Sequence, residues 1–254
     1  MMDTKKEYIR ALFITATIYL LVQGIALWIG GGGFGVERGI IERVENEEGI
    51  YQPMVPEPEK PESFLFIFVM ILFMTAVMLV LMKMNLDFII KLMMSFVLLF
   101  GLSFTLYTVF DLPGILIAFV VFTIYLLRRD NIAVTNLVLI LVIPGIGAWL
   151  GASLPIIPAF LLLLVLSVYD VIAVFGTKHM VTMAEGAKGK IPLMFSIPVG
   201  DRILGLGTGD LAIPVMFSVS ILKEATHINS VAASLGGLMG LIFLFIYISQ
   251  KKDV

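Results

Sequence analysis

The hydrophobic residues of this chain gather into eight long runs separated by polar stretches: 9–29, 64–84, 88–108, 113–127, 132–150, 155–175, 204–222 and 228–249. A helix that crosses a bilayer needs about 20 apolar residues, so the pattern predicts eight spans. The fourth run is short, and the fifth is interrupted by Pro144-Gly145. The longest polar stretch, 30–63, opens on four glycines and carries Glu37, Glu42, Glu45, Glu47, Glu48, Glu57, Glu59 and Glu62. Pro53, Pro56, Pro58 and Pro61 close it. It reads as a solvated, partly flexible loop; the alternative is a cover or a substrate-docking surface.

Lysine and arginine set the orientation. With a cytosolic N-terminus, thirteen of them fall in inner segments, and only Arg38, Arg43, Lys60 and Lys223 fall in outer ones. That is the bias expected of cytoplasmic loops. It puts the N-terminus, the 177–203 loop and Lys251-Lys252 in the cytosol, and the 30–63 loop outside. Trp28, Tyr107 and Trp149 then sit near outer ends, where aromatic belts form. The chain divides into 1–150, with helices one to five and the acidic outer loop, and 151–254, with helices six to eight and the cytosolic loop.

Composition agrees. Of 254 residues, 59% are hydrophobic and 14% charged, against about 25% charged in ordinary soluble domains. The fold class is therefore an all-α polytopic membrane protein in a lipid bilayer. No cleavable signal peptide is expected, because the first run is long enough to span. A net charge of −2 gives no reason to expect nucleic acid. With no cysteine, disulfides, thiol catalysis and thiolate metal sites are excluded. Two histidines cannot build a multi-histidine centre, and the glutamates of the outer loop lack EF-hand spacing. No metal or cofactor is expected.

Two residues stand out against this apolar background. Asp170 lies in Leu166-Ser167-Val168-Tyr169-Asp170-Val171-Ile172, and Asp210 in Gly205-Leu206-Gly207-Thr208-Gly209-Asp210-Leu211. An acid inside a span is costly and marks a functional site by default. Counted from Gly176 and from Leu204, each acid lies six residues in from the cytosolic end, or roughly 9 Å at the rise of an α-helix. Two antiparallel neighbours would thus carry their carboxyls at equal depth, as a paired site requires. The competing reading is two separate acids, each snorkelling to the interface or bonded to a hydroxyl.

These two stretches resemble the Tyr-Asp and Gly-x-Gly-Asp motifs of the presenilin and signal peptide peptidase family, carried here by Tyr169-Asp170 and by Gly207, Thr208, Gly209 and Asp210. The order of the motifs, their separation of about 40 residues and the orientation match an archaeal-type presenilin homologue. The resemblance implies a presenilin-like helix bundle, with about eight helices in this chain where the family has nine. It implies an intramembrane aspartyl protease with Asp170 and Asp210 as catalytic residues. Its partners would be single-span membrane proteins or peptides, and self-association into a homo-oligomer is compatible with it. One feature departs from the pattern. The family's third motif, Pro-Ala-Leu, is absent; either the sequence is a piece of a longer one, or the protein works without that segment.

The chemistry accounts for these residue types. Amide hydrolysis needs an activated water and a proton donor for the leaving nitrogen. Two close carboxyls that share one proton supply both, because like charges a few ångströms apart cannot both ionise. Tyr169 either positions the pair or packs against a neighbouring helix. Leu206, Gly207, Thr208 and Gly209 are the expected site-shaping residues, the glycines at 205, 207 and 209 allowing close backbone approach. A helical substrate offers no free peptide bond, so it must unwind. The proline-broken 191–199 segment is too short to span. It is either an interfacial loop or, by the resemblance, pairs with extended substrate together with 204–206. Two other functions fit intramembrane acids. One is a proton- or cation-coupled transporter or channel, which broken helices would also serve. The other is an inactive binding homologue, which the missing motif keeps open.

Overall fold

The computed structural model describes residues 2–55, 58, 60, 62–172, 194–199 and 202–250. Nine helices and one two-stranded sheet form among them. In chain order they are α1 (Met2–Gly31), α2 (Ile40–Glu45), α3 (Ser63–Lys83), α4 (Asp87–Phe110), α5 (Leu112–Leu127), α6 (Ile132–Ala152), α7 (Ile156–Val171), β1 (Met194–Val199), β2 (Arg202–Gly207), α8 (Thr208–Glu224) and α9 (His227–Gln250). Each of the eight apolar runs contains one of these helices. Five are long and apolar enough to cross a membrane by length and composition: α1, α3, α4, α6 and α9. The apolar helices α5, α7 and α8 are shorter. Helices are the natural solution here, because each satisfies its backbone polar groups internally where water is absent.

The sequence reading placed 204–222 in one helix, and that is corrected at its start. Leu204–Gly207 belongs to a strand, and α8 begins only at Thr208. Gly205 and Gly207 weaken helix in this stretch, and β1 offers a partner. The sixth run is helical through Val171; its last three positions, and 177–193 of the expected cytosolic loop, lie outside the described residues.

Two cores hold the bundle. The larger joins α1, α4, α6, α8 and the hairpin through Tyr19, Leu102, Phe104, Leu139, Phe195, Ile197, Leu211 and Val215. It draws on both 1–150 and 151–254. The smaller joins α3, α7 and α8 through Ile67, Leu162, Leu166 and Met216. The axis of the larger core is the α6–α8 contact. A Cβ on Gly151 would run into the Met216 carbonyl oxygen and the Val219 side chain, so small residues on α6 let α8 approach closely. Pro144 does not end α6. It leaves the Ile140 carbonyl without its amide partner, and Thr105 of α4 donates to the next carbonyl, Leu141. Between α1, α8 and α9, Tyr19 donates to Ser234 O, Gln23 donates to Tyr19 Oη, and Ser234 reaches both Gln23 and Ser218.

The described residues of the 30–63 stretch depart from the flexible reading and match its alternative, a cover. Ile40, Val44, Tyr51 and Val55 are buried among its glutamates, so an apolar pattern under the charge folds it onto the bundle. Arg43 is only 4% exposed. Its Nη2 lies 2.7 Å from Asp111 Oδ1 between α4 and α5, and its guanidinium carbon lies 5.8 and 5.2 Å from the Tyr51 and Tyr107 ring centroids. Tyr51 donates to Phe104 O at 2.9 Å; burial pushes its hydroxyl well above the ordinary value, so it stays protonated. The belt tryptophans pin the same cover, Trp28 through Phe34 O and Trp149 through Gln52 O.

Candidate active site

Asp170 lies near the end of the described part of α7, and Asp210 in the first turn of α8. Their relation follows from contacts at both ends of these helices. At one end Glu224 of α8 accepts from the Ile156 amide, the first of α7, at 3.1 Å. At the other end Asp170 and Asp210 are close enough to interact electrostatically. Ile156 to Asp170 and Asp210 to Glu224 are each fourteen residues. The helices therefore run antiparallel, and equal spacing from that bond brings the two acids to about the same level, within electrostatic range of each other.

The local reasons are visible. Pro155 opens α7 and Gly207 is the N-cap of α8, at φ −61° and ψ 139°. Counted from it, Thr208, Gly209 and Asp210 are the first three helical residues. The Gly207 amide bonds the Asp210 carboxyl. This is the reciprocal half of a capping box, with the third helical residue reaching back to the cap amide. It fixes the side chain against α8's own N-terminus, where the helix dipole favours negative charge. Pro214 lies four residues on and cannot donate, so the Asp210 carbonyl has no helical amide partner. Asp170 is half-buried and Asp210 exposed.

The expected site-shaping residues fall into different roles. Leu206 pairs with Phe195 across the hairpin and packs against the larger core. Gly207 touches the site directly: a Cβ there would lie 2.9 Å from Asp210 Oδ2. Thr208 opens α8. Gly209 faces open space, and a Cβ at Gly205 would strike the Met194 side chain. Within this chain the nearest neighbours of these positions are the Met194 side chain at Gly205, the Asp210 side chain at Gly207 and open space at Gly209. The Tyr169 ring packs edge-on against Phe68 of α3, centroids 6.0 Å apart. Among the described residues no cluster of His, Asp and Glu could hold a metal ion.

The sequence reading set 191–199 and 204–206 apart as a segment that pairs with substrate or lies at the interface; it missed that they pair with each other as a hairpin. Its strands pair antiparallel from Met194 with Gly207 to Val199 with Arg202. A signal was present: Gly200-Asp201 separates two runs of strand-forming residues, a spacing typical of a two-residue hairpin. Phe195 and Ile197 are fully buried and face the core with Leu204 and Leu206. Ser196 and Gly205 fall on the opposite face. Asn136 of α6 grips β1: its Nδ2 donates to Ser196 O at 2.9 Å, and its Oδ1 accepts from Ser196 N at 3.1 Å. The sheet thus delivers Gly207, and through it Asp210, to a fixed place beside α7.

A family profile described as signal-peptide peptidase, presenilin aspartyl protease matches residues 44–254. No curated protein matches the sequence. Among solved structures the fold is similar to that of a presenilin family intramembrane aspartate protease in a C222 crystal, with TM-score 0.65 and 21% identity over 96% of this chain and 91% of that one. It is similar also to one in a P2 crystal, with TM-score 0.60 and 23% identity over 94% of this chain and 87% of that one. The chain is an integral, multi-pass membrane protein and belongs to the signal-peptide peptidase and presenilin aspartyl protease family.

Proposed function

We propose that this chain hydrolyses peptide bonds within transmembrane segments, with Asp170 and Asp210 as the catalytic pair. The observation that carries the proposal is the meeting of these two carboxyls at one end of the antiparallel α7–α8 pair. One carboxylate draws a proton from water, which attacks the scissile carbonyl carbon. The other, protonated, donates to the carbonyl oxygen. As the tetrahedral intermediate breaks down, a proton passes to the leaving nitrogen and the two exchange roles. The Gly207 amide and the first turn of α8 face Asp210 and favour negative charge there, while the proton belongs to the pair and not to one residue. The pair titrates as a unit and should give a bell-shaped pH–rate profile whose limbs belong to neither residue alone.

The substrate is a single-span protein or peptide, unwound at its cleavage point and laid as a strand along the hairpin. The charge bias supports a cytosolic N-terminus, which puts the pair in the inner leaflet and cleavage near the cytosolic end of the substrate helix. The test uses the purified chain in lipid and a synthetic single-span peptide, with products read by mass spectrometry. Cleavage within the apolar segment, blocked by a hydroxyl-bearing transition-state mimic of aspartyl proteases, is the expected result. Intact peptide beside a proton or cation flux that persists with the mimic present would replace the protease by a transporter.

A further inference from the structure

Antiparallel pairing gives each residue of a two-stranded hairpin either inward or outward backbone groups. The bonds from Asn136 fix which is which. Ser196 directs both its amide and its carbonyl at Asn136, so it faces away from β2. Met194 and Pro198, two residues either side, share its parity. Their partners Gly207, Gly205 and Ile203 face outward on the far edge of β2. Gly207 obeys this rule, since its amide goes to Asp210 and not to β1.

The two edges of the hairpin are therefore unlike. The β1 edge is closed twice. Pro198 has no amide to offer an added strand, and prolines are found on such edges. At Ser196 the Asn136 amide group already fills the place of a neighbouring strand, one donor and one acceptor on the same residue. Among the described residues β2 has no strand partner except β1. Gly205 is exposed, and its outward amide and carbonyl lie two residues, about 7 Å, before Gly207.

We propose that Asn136 is a positioning residue for the proteolytic reaction: by occupying the β1 edge at Ser196 it leaves β2 as the edge for an extended substrate and fixes the register in which that substrate meets Asp210. This rests on the proteolytic reading above. Asn136 touches neither acid. It acts through the hairpin, whose far strand runs into the α8 cap.

The readout is the choice of bond, which a purely structural role would not move. The purified chain is incubated with the same synthetic single-span peptide, and product ends are mapped with kcat and KM. Asn136→Leu, close in size and apolar, removes both bonds. It should spread cleavage over neighbouring peptide bonds and lower kcat/KM by about tenfold, the loss expected for two hydrogen bonds, while the hydroxyl mimic still binds. Asn136→Gln, which keeps donor and acceptor, should recover the wild-type bond preference. Asn136→Ala is read if the leucine variant gives no folded protein by thermal melting, with the same spread expected. Wild-type bond choice and kinetics in Asn136→Leu or Asn136→Ala overturn the inference and leave the protease reading standing. A rise in kcat/KM also overturns it, since the substrate would then be using the β1 edge that Asn136 had blocked. A wild type that cleaves nothing overturns both readings.

Discussion

At the scale of single residues, Gly207 decides more than its neighbours. Its φ of −61° suits any residue, so the backbone does not require glycine. The obstacle to a side chain is the Asp210 carboxyl, 2.9 Å from where a Cβ would sit. Gly207→Ala should therefore keep the melting temperature near wild type while pushing Asp210 off its place. A misplacement of about 1 Å costs about 100-fold in rate; full activity in a folded Gly207→Ala protein would show that the carboxyl has room to spare. Sequence made the two acids legible because each is a charge inside an apolar run beside a specific motif. It could not show what Gly207 contacts, since that depends on the strand-to-helix junction placing the cap amide three residues from the acid.

At the scale of elements, the end of α8 works as a brace. Lys223 donates to Ala152 O at the end of α6, Glu224 accepts from the first amide of α7, and Ser220 donates to Leu154 O between them. A cation meets a helix C-terminus and an anion a helix N-terminus, both favourable to the helix dipole. This turn sets the level of α7 against α8, and so of Asp170 against Asp210 at the far end. Glu224→Ala should cost about 1 kcal/mol, the usual loss of a helix cap, measured by thermal melting in detergent, and should lower kcat more than it raises KM. A fall in stability with kcat untouched would confine the brace to folding. Eight helices were readable from run length, apart from the start of α8; α2, inside the polar 30–63 stretch, was not. The hairpin was legible only in part: 191–199 is too short and proline-broken to span, but Leu204 and Leu206 are as apolar as the helix that follows, so their strand was read into it. The 30–63 cover was legible only as an alternative, for the opposite reason: its glutamates mask the spacing of Ile40, Val44 and Tyr51, and Arg43 finds Asp111 sixty-eight residues away.

At the scale of the whole molecule, two cores meet on α8. One fixes α8 to α1, α4, α6 and the hairpin; the other carries α7 and α3. The acids therefore come from different packing units, and the site exists only where those units join. The proposed mechanism is accordingly cooperative, with both carboxyls needed together. The most direct test compares cleavage of the single-span peptide by wild type, Asp170→Asn, Asp210→Asn and the double variant, each shown by thermal melting to be folded. Residues that act as one unit give non-additive losses. Each single variant should fall to the level of the double, with no detectable cleavage above background. Substantial cleavage by either single variant, or two partial losses that multiply in the double, would contradict a shared pair.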